Sequence, residues 1–140
     1  GTRLDLERVS ARCREVSAHL VLDLSQSLGV LPCDVRKVDP DFLVTASYKW
    51  LLGPYSLCYM YVAPRWHGGR PLEQNPLSRS NAVARPEWKH GDTPYPETFL
   101  PGARRYDVGE RANFALLPMS IAALRQLHDW RPARIAEYLQ

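Results

Sequence analysis

The sequence has 140 residues, 45% of them hydrophobic, 24% charged and 10% aromatic, a globular composition in a length that suits one domain with its own core. Its apolar runs are a few residues long, too short to cross a bilayer, and the first residues lack the pattern of a secretory leader. The net charge of +3 is carried by residues that alternate in sign (Arg3, Asp5, Glu7, Arg8, Arg12, Arg14, Glu15), which is the pattern of a solvated helix face and speaks against a nucleic-acid-binding patch.

In chain order, residues 3–17 are expected to form a helix. Leu6, Val9, Cys13 and Val16 fall on one stripe, and Thr2 is a candidate cap. Leu20-Val21-Leu22 is apolar without alternation, which predicts a strand covered on both faces, and Asp23 ends it. Ser25 to Gly29 reads as a turn or a short helix start, and Pro32, Pro40 and their neighbouring aspartates mark a connecting segment. Phe42–Ala46 predicts a second strand and residues 57–63 a third. The short connection from Lys49 makes that third strand antiparallel to its neighbour, because a parallel return needs a dozen residues or more.

Composition changes between Pro64 and Arg104, where seven of the twelve prolines and four of the eight glycines lie. Trp66, His67, Trp88 and His90 fall in the same segment, so it is expected to be packed by its own side chains rather than disordered. Beyond it, Pro118 suits the first turn of a helix whose face carries Ile121, Leu124, Leu127 and Trp130, and Pro132 suits the start of another. Gly1 in place of an initiator Met, and a helix running to Gln140, suggest a piece of a longer protein. Cys13, Cys33 and Cys58 have neither disulfide nor metal spacing. They are expected to be small buried hydrophobes in a reducing, cytoplasmic compartment, with no metal site.

Two apolar runs therefore end in chemistry-bearing residues, the first in Asp23 and the second in Ser47-Tyr48-Lys49. An acid at the C-terminal end of a buried strand stands where open α/β sheets bind ligands, although it can equally cap the following turn. A lysine set between an apolar run and Trp50-Leu51-Leu52 is partly desolvated, which favours a nucleophilic amine, although a snorkelling head group is the plainer alternative. Together, a carboxylate for a pyridine nitrogen and an amine for an aldehyde are the two protein groups that pyridoxal phosphate most needs.

D-L-S-Q-S at 23–27, S-Y-K-W-L-L-G-P at 47–54 and R-Y-D-V-G at 105–109, in this order and at these separations, resemble the class V aminotransferase family of fold-type I pyridoxal-phosphate enzymes. That family includes cysteine desulfurases, selenocysteine lyases, kynureninases and isopenicillin N epimerases. The aromatic strand after Gly53-Pro54 and N-F-A-L-L-P-M at 113–119 are similar to it as well. The resemblance implies an α/β fold, a three-layer α/β/α sandwich with a mostly parallel sheet. Residues 1–110 would be the C-terminal part of the large cofactor domain, with 64–104 a Pro-rich loop segment on the active-site side. Residues 111–140 would lead into a small C-terminal domain.

The same resemblance implies roles. Lys49 would attach the cofactor as a Schiff base and move the Cα proton, and Asp23 would pair with the pyridinium nitrogen. Ser25 would pack against a ring face and Gln26 would hydrogen-bond the phenolic oxygen. Ser47 and Tyr48 would help to hold the phosphate. Gly109 matches a motif glycine whose following threonine reaches the phosphate in the other subunit; Glu110 stands there instead, and an acid would repel the dianion. The implied partners are an amino-acid substrate and a second copy in a homodimer, with no nucleic acid and no membrane. The ring-stacking residue, the carboxylate-binding arginine and the desulfurase cysteine loop of the family would lie outside these residues. Two rival expectations remain: a catalytically inactive fragment, and a basic interaction module.

Overall fold

A computed structural model describes residues 3–80, 97–111 and 113–139, so the expectations for Thr2, Trp88 and His90 lie outside the described residues. The chain divides into two compact units, Gly1–Ala63 with Phe114–Gln140, and Pro64–Asn113. No helix among the described residues is long and apolar enough to cross a membrane.

The first unit is built on a three-stranded sheet in the order β1 (Val21–Asp23), β2 (Phe42–Ala46), β3 (Cys58–Val62). β1 and β2 are parallel with Asp23 opposite Val44, and β2 and β3 are antiparallel with Ala46 opposite Cys58. The crossover from β1 to β2 carries helix α2 (Val35–Val38), whereas the short 47–57 connection returns directly and so reverses direction, as its length predicts. Asp34 caps α2 through the Arg36 amide and pairs with the Arg36 guanidinium; these bonds hold its exposed carboxyl down to about 2.

The core lies on one face of this sheet. Leu20, Leu22, Leu24 and Leu43 pack with Val38, and Leu6, Cys13, Cys33, Val35 and Tyr61 close around them. β1 is consequently not covered on both faces as its composition suggested. Val21 is 62% exposed between buried Leu20 and Leu22, because successive side chains of a strand point to opposite faces and the core is on the side of Leu22.

Helix α1 (Leu6–Glu15) starts later than expected, at Asp5, whose side chain accepts from the Arg8 amide. Its buried face is also rotated from the expected stripe. Ser10 is buried, receiving a bond from Arg14, while Val9 and Val16 are exposed. Helix α3 (Leu116–Trp130) has Pro118 in its first turn as expected. It buries Ser120, Ala123 and Leu127, however, and leaves Ile121, Leu124 and Trp130 exposed. Small residues let its backbone approach, and the Ser120 hydroxyl meets that of Tyr59 on β3. Helix α4 (Pro132–Tyr138) opens on its proline.

Among its described residues the second unit has 3-10 turns at Pro64–Trp66, Pro76–Ser78 and Gly102–Tyr106, and is tied by side chains reaching carbonyls. The Tyr106 hydroxyl donates to the Trp66 carbonyl at 2.6 Å. A Cβ on Gly69 would lie 2.3 Å from that hydroxyl, so glycine is required there. Arg105 donates to the carbonyls of Leu100 and Gly69. The ion pair nearby in sequence is Asp107 with Arg111 at 3.2 Å.

Candidate functional site

Because β1 and β2 are parallel, their C-terminal ends emerge at the same edge of the sheet, and each is followed by a turn carrying polar groups. At the end of β1, Asp23 is exposed, and its Oδ1 accepts from the Ser25 amide at 2.9 Å. The Ser25 hydroxyl oxygen in turn accepts from the Ala46 amide at 2.9 Å, while the Leu24 amide donates to the Val44 carbonyl at 2.9 Å. These two bonds fasten the turn after β1 to the end of β2. Asp23 is held below its ordinary value of 3.8, first by the Ser25 amide and then by the Ser25 side chain, against desolvation, with the charge of Lys49 the smallest contribution in the lowering direction. The acid is thus ionised and lies within the field of the lysine. Gln26 is exposed in the same turn.

The loop after β2 is organised by Ser47, which is completely buried. Its amide donates to Leu57, its carbonyl accepts from Gly53 at 2.8 Å, and its hydroxyl donates to the Pro54 carbonyl. Three residues of one loop are thereby closed on a single side chain and its backbone. Gly53 has to be glycine for this approach, since a Cβ there would stand 2.9 Å from the Ser47 Cβ. Ser47 accordingly braces the loop from inside, and its hydroxyl is already engaged. Tyr48, by contrast, is exposed and stacks on Tyr55 with ring centroids 4.4 Å apart and planes 16° from parallel. Lys49 is half-buried with its Nζ 5.8 Å from the centre of the Tyr48 ring.

The two turns also touch. Gly29 has φ of 101°, and a Cβ on it would fall 2.4 Å from the Trp50 carbonyl oxygen and 3.1 Å from the Leu51 side chain. The turn bearing Asp23 is therefore pressed directly against the loop bearing Lys49, and only glycine allows it. A cavity of about 540 Å³ opens beside Asp23, lined in part by Leu22, Leu28, Leu31 and Cys33. Ser47, Tyr48 and Lys49 do not line it, so it is separate from the space between acid and amine. Burial pushes the Cys33 thiol up, which keeps it a small apolar side chain, and Cys13 is half-buried; Cys58, against expectation, is exposed on β3.

Six of the sequence-predicted residues, Asp23, Ser25, Gln26, Ser47, Tyr48 and Lys49, thus come together at one sheet edge. Gly109 belongs to the second unit. Its amide donates to the Glu73 carboxylate at 2.8 Å, and Glu110 beside it is exposed with a left-handed backbone. No His, Cys, Asp and Glu cluster suited to a metal ion occurs among the described residues. Three residues escaped the sequence reading. Tyr55 carries no signal beyond following Gly53-Pro54, and the contact of Gly29 with Trp50 is long-range. The third is Asp41, buried to 6%, which accepts from the Leu20 amide through its side chain and from the Ala63 amide through its carbonyl. Its position directly before an apolar strand was the available hint.

A protein-family model, aminotransferase class-V, matches residues 1–73, just over half the chain. Hercynylcysteine sulfoxide lyase of Schizosaccharomyces pombe is 33% identical over 72 residues, covering 51% of this chain and 18% of that protein. Kynureninase of Shouchella clausii is 28% identical over 120 residues, covering 85% of this chain and 27% of that protein. Among solved structures, the apo cysteine desulfurase from Thermococcus onnurineus NA1 superposes on 95% of the chain with a TM-score of 0.75 at 19% identity, which covers 31% of the desulfurase. The chain therefore spans less than a third of the length of these proteins. The fold is the expected α/β sandwich, of which the described residues supply a small mixed sheet with helices.

Proposed function

The chain belongs to the aminotransferase class-V family, a family of pyridoxal-phosphate-dependent enzymes, and we propose that it carries the cofactor-binding acid and lysine of an enzyme acting on an amino acid. The observation that carries this reading is the common sheet edge, where an ionised Asp23 lies within the field of Lys49. The donor set fits the cofactor chemically. A carboxylate kept charged by Ser25 suits a protonated ring nitrogen, and a half-buried amine suits an aldehyde.

When bound, pyridoxal phosphate supplies an electron sink for the pair left by a bond breaking at the substrate Cα. Asp23 would hold the proton on the ring nitrogen. Ser25 fixes Asp23 and would border the ring, and Gln26 would donate its amide to the phenolic oxygen. Tyr48 would offer its exposed hydroxyl to the phosphate, supported from within by Ser47. Lys49 would hold the cofactor and hold or move the proton at the substrate Cα. Gly109 lies in a motif whose phosphate contact in a homodimer is weakened here, since its amide is taken by Glu73 and an acid follows it.

Residues 1–110 are proposed as the C-terminal part of the large cofactor domain and 111–140 as the lead into the small one. The covered share of the relatives, together with the exposed Val21 face, supports a second statement: these 140 residues by themselves are inactive, and turnover belongs to the whole enzyme. The test is absorbance. The intact protein mixed with pyridoxal phosphate is expected to develop a yellow band, and borohydride to trap the cofactor on Lys49. Lys49→Ala should abolish both and lower turnover by at least about 10²–10⁴-fold. A band unchanged in Lys49→Ala would overturn the reading.

A further inference from the structure

We propose that Tyr55 is a positioning residue for Lys49, acting through Tyr48; this rests on the assignment of Lys49 just made and extends it. Tyr55 is 73% exposed, so its ring does not serve the core, yet it stacks nearly parallel on Tyr48 at 4.4 Å. The other face of the argument is the backbone that brings it there. Leu52 and Ser56, on either side of Gly53-Pro54-Tyr55, have φ of 55° and 66°. Left-handed backbone is disfavoured for residues with a Cβ, and it persists only where the surroundings over-determine it. Here Ser47 does so, through its bonds to Gly53, Pro54 and Leu57.

The outcome of that strained path is to set the Tyr55 ring over Tyr48. Tyr48 precedes Lys49 directly and stands 5.8 Å from its Nζ, within reach of a cation–π attraction. A free tyrosine ring on an exposed loop samples several rotamers. A stacked one keeps a single orientation, and the ammonium beside it shares that constraint. The pair thus fixes the direction from which Lys49 leaves the loop.

The test uses the intact protein without cofactor, treated with formaldehyde and cyanoborohydride at neutral pH, with methylation of Lys49 followed by peptide mass spectrometry. Once the Tyr48 ring is no longer held in one orientation, the Lys49 amine is released from its ring contact and opens to the reagent, so Tyr55→Leu is expected to react about two- to five-fold faster than wild type. Tyr55→Phe keeps the ring and is expected to match wild type. Tyr48→Leu should show the same gain as Tyr55→Leu, and the double variant no more than either alone, because both remove one interaction. Wild-type rates in Tyr55→Leu and Tyr48→Leu, or equal acceleration in Tyr55→Phe, would overturn the proposal. Borohydride trapping of pyridoxal phosphate on wild-type Lys49 is read separately. Its failure counts against the cofactor assignment, whereas the formaldehyde ratios still report on Tyr55.

Discussion

The turn after β1 and the loop after β2 meet at one edge of the sheet and are built in opposite ways. Residues 24–31 are a tight run of backbone bonds, Leu28 to Leu24 and Leu31 to Ser27 among them, with Leu24 and Val30 buried beneath. Residues 47–57 carry two left-handed non-glycine residues, hang on one buried serine, and expose Tyr48, Trp50, Leu52 and Tyr55. The difference matches what each delivers. In the proposed roles, Asp23 would have only to remain ionised in a fixed place, which a short rigid turn with a donated amide suits. Lys49 would have to reach a reacting atom, which a strained loop with a ring beside the amine suits. Acid and amine are then kept in register by the contact of Gly29 with Trp50.

The largest expected effect comes from breaking that contact. Gly29→Ala places a Cβ against the Trp50 carbonyl and a side chain at φ of 101°, so the two turns must separate. The left-handed conformation and the overpacking together should cost about 2–5 kcal/mol in urea unfolding of the intact protein. A loss below about 1 kcal/mol would mean the turns are not rigidly joined. Ser47→Ala should have a smaller effect, confined to the second loop. It leaves the Pro54 carbonyl without its donor and should cost about 1–3 kcal/mol. If the comparison holds, it also raises hydrogen exchange at the Gly53 and Ser47 amides while leaving those of Leu28 and Leu31 protected.

Much of this edge was legible in the sequence because it depends on short-range features. Apolar runs ending in Asp23 and in Ser47-Tyr48-Lys49, and the length of the connection to β3, fixed the strands, their directions and the meeting of acid and lysine. Burial was less legible. Val21 reads as interior because it is apolar, but its exposure depends on which helices cover which face, a tertiary fact. The same holds for α3, where Ser120 and Ala123 are buried and Ile121 and Leu124 are not; close approach selected small residues over large ones. The inward role of Ser47 was hidden for a different reason. A serine beside a lysine suggests a ligand for an anion, and nothing local reveals that its hydroxyl is spent on Pro54.

The smallest effect discriminates best between the two constructions, because it changes the acid without moving the amine. Ser25 supplies both leading causes that hold Asp23 below 3.8, its amide and its side chain, and its hydroxyl also accepts from Ala46. Ser25→Ala retains the amide and loses the hydroxyl, so Asp23 should rise part of the way toward its ordinary value. The lost bond to Ala46 should cost about 0.5–1.5 kcal/mol. The sign of the pH dependence follows from linkage. A carboxyl depressed in the folded state stabilises it fully above the unfolded value of 3.8, and that stabilisation disappears as pH falls through the lower, folded value. Ser25→Ala should therefore flatten the stability curve below about pH 4 and leave its neutral part offset by a constant amount. In the enzyme, the acid limb of the turnover profile should move to higher pH while trapping of the cofactor on Lys49 at neutral pH is unchanged. Carbon-13 titration of the Asp23 carboxyl gives the direct measurement, and an Asp23 that titrates identically in Ser25→Ala would show that the turn after β1 holds its acid by the backbone alone.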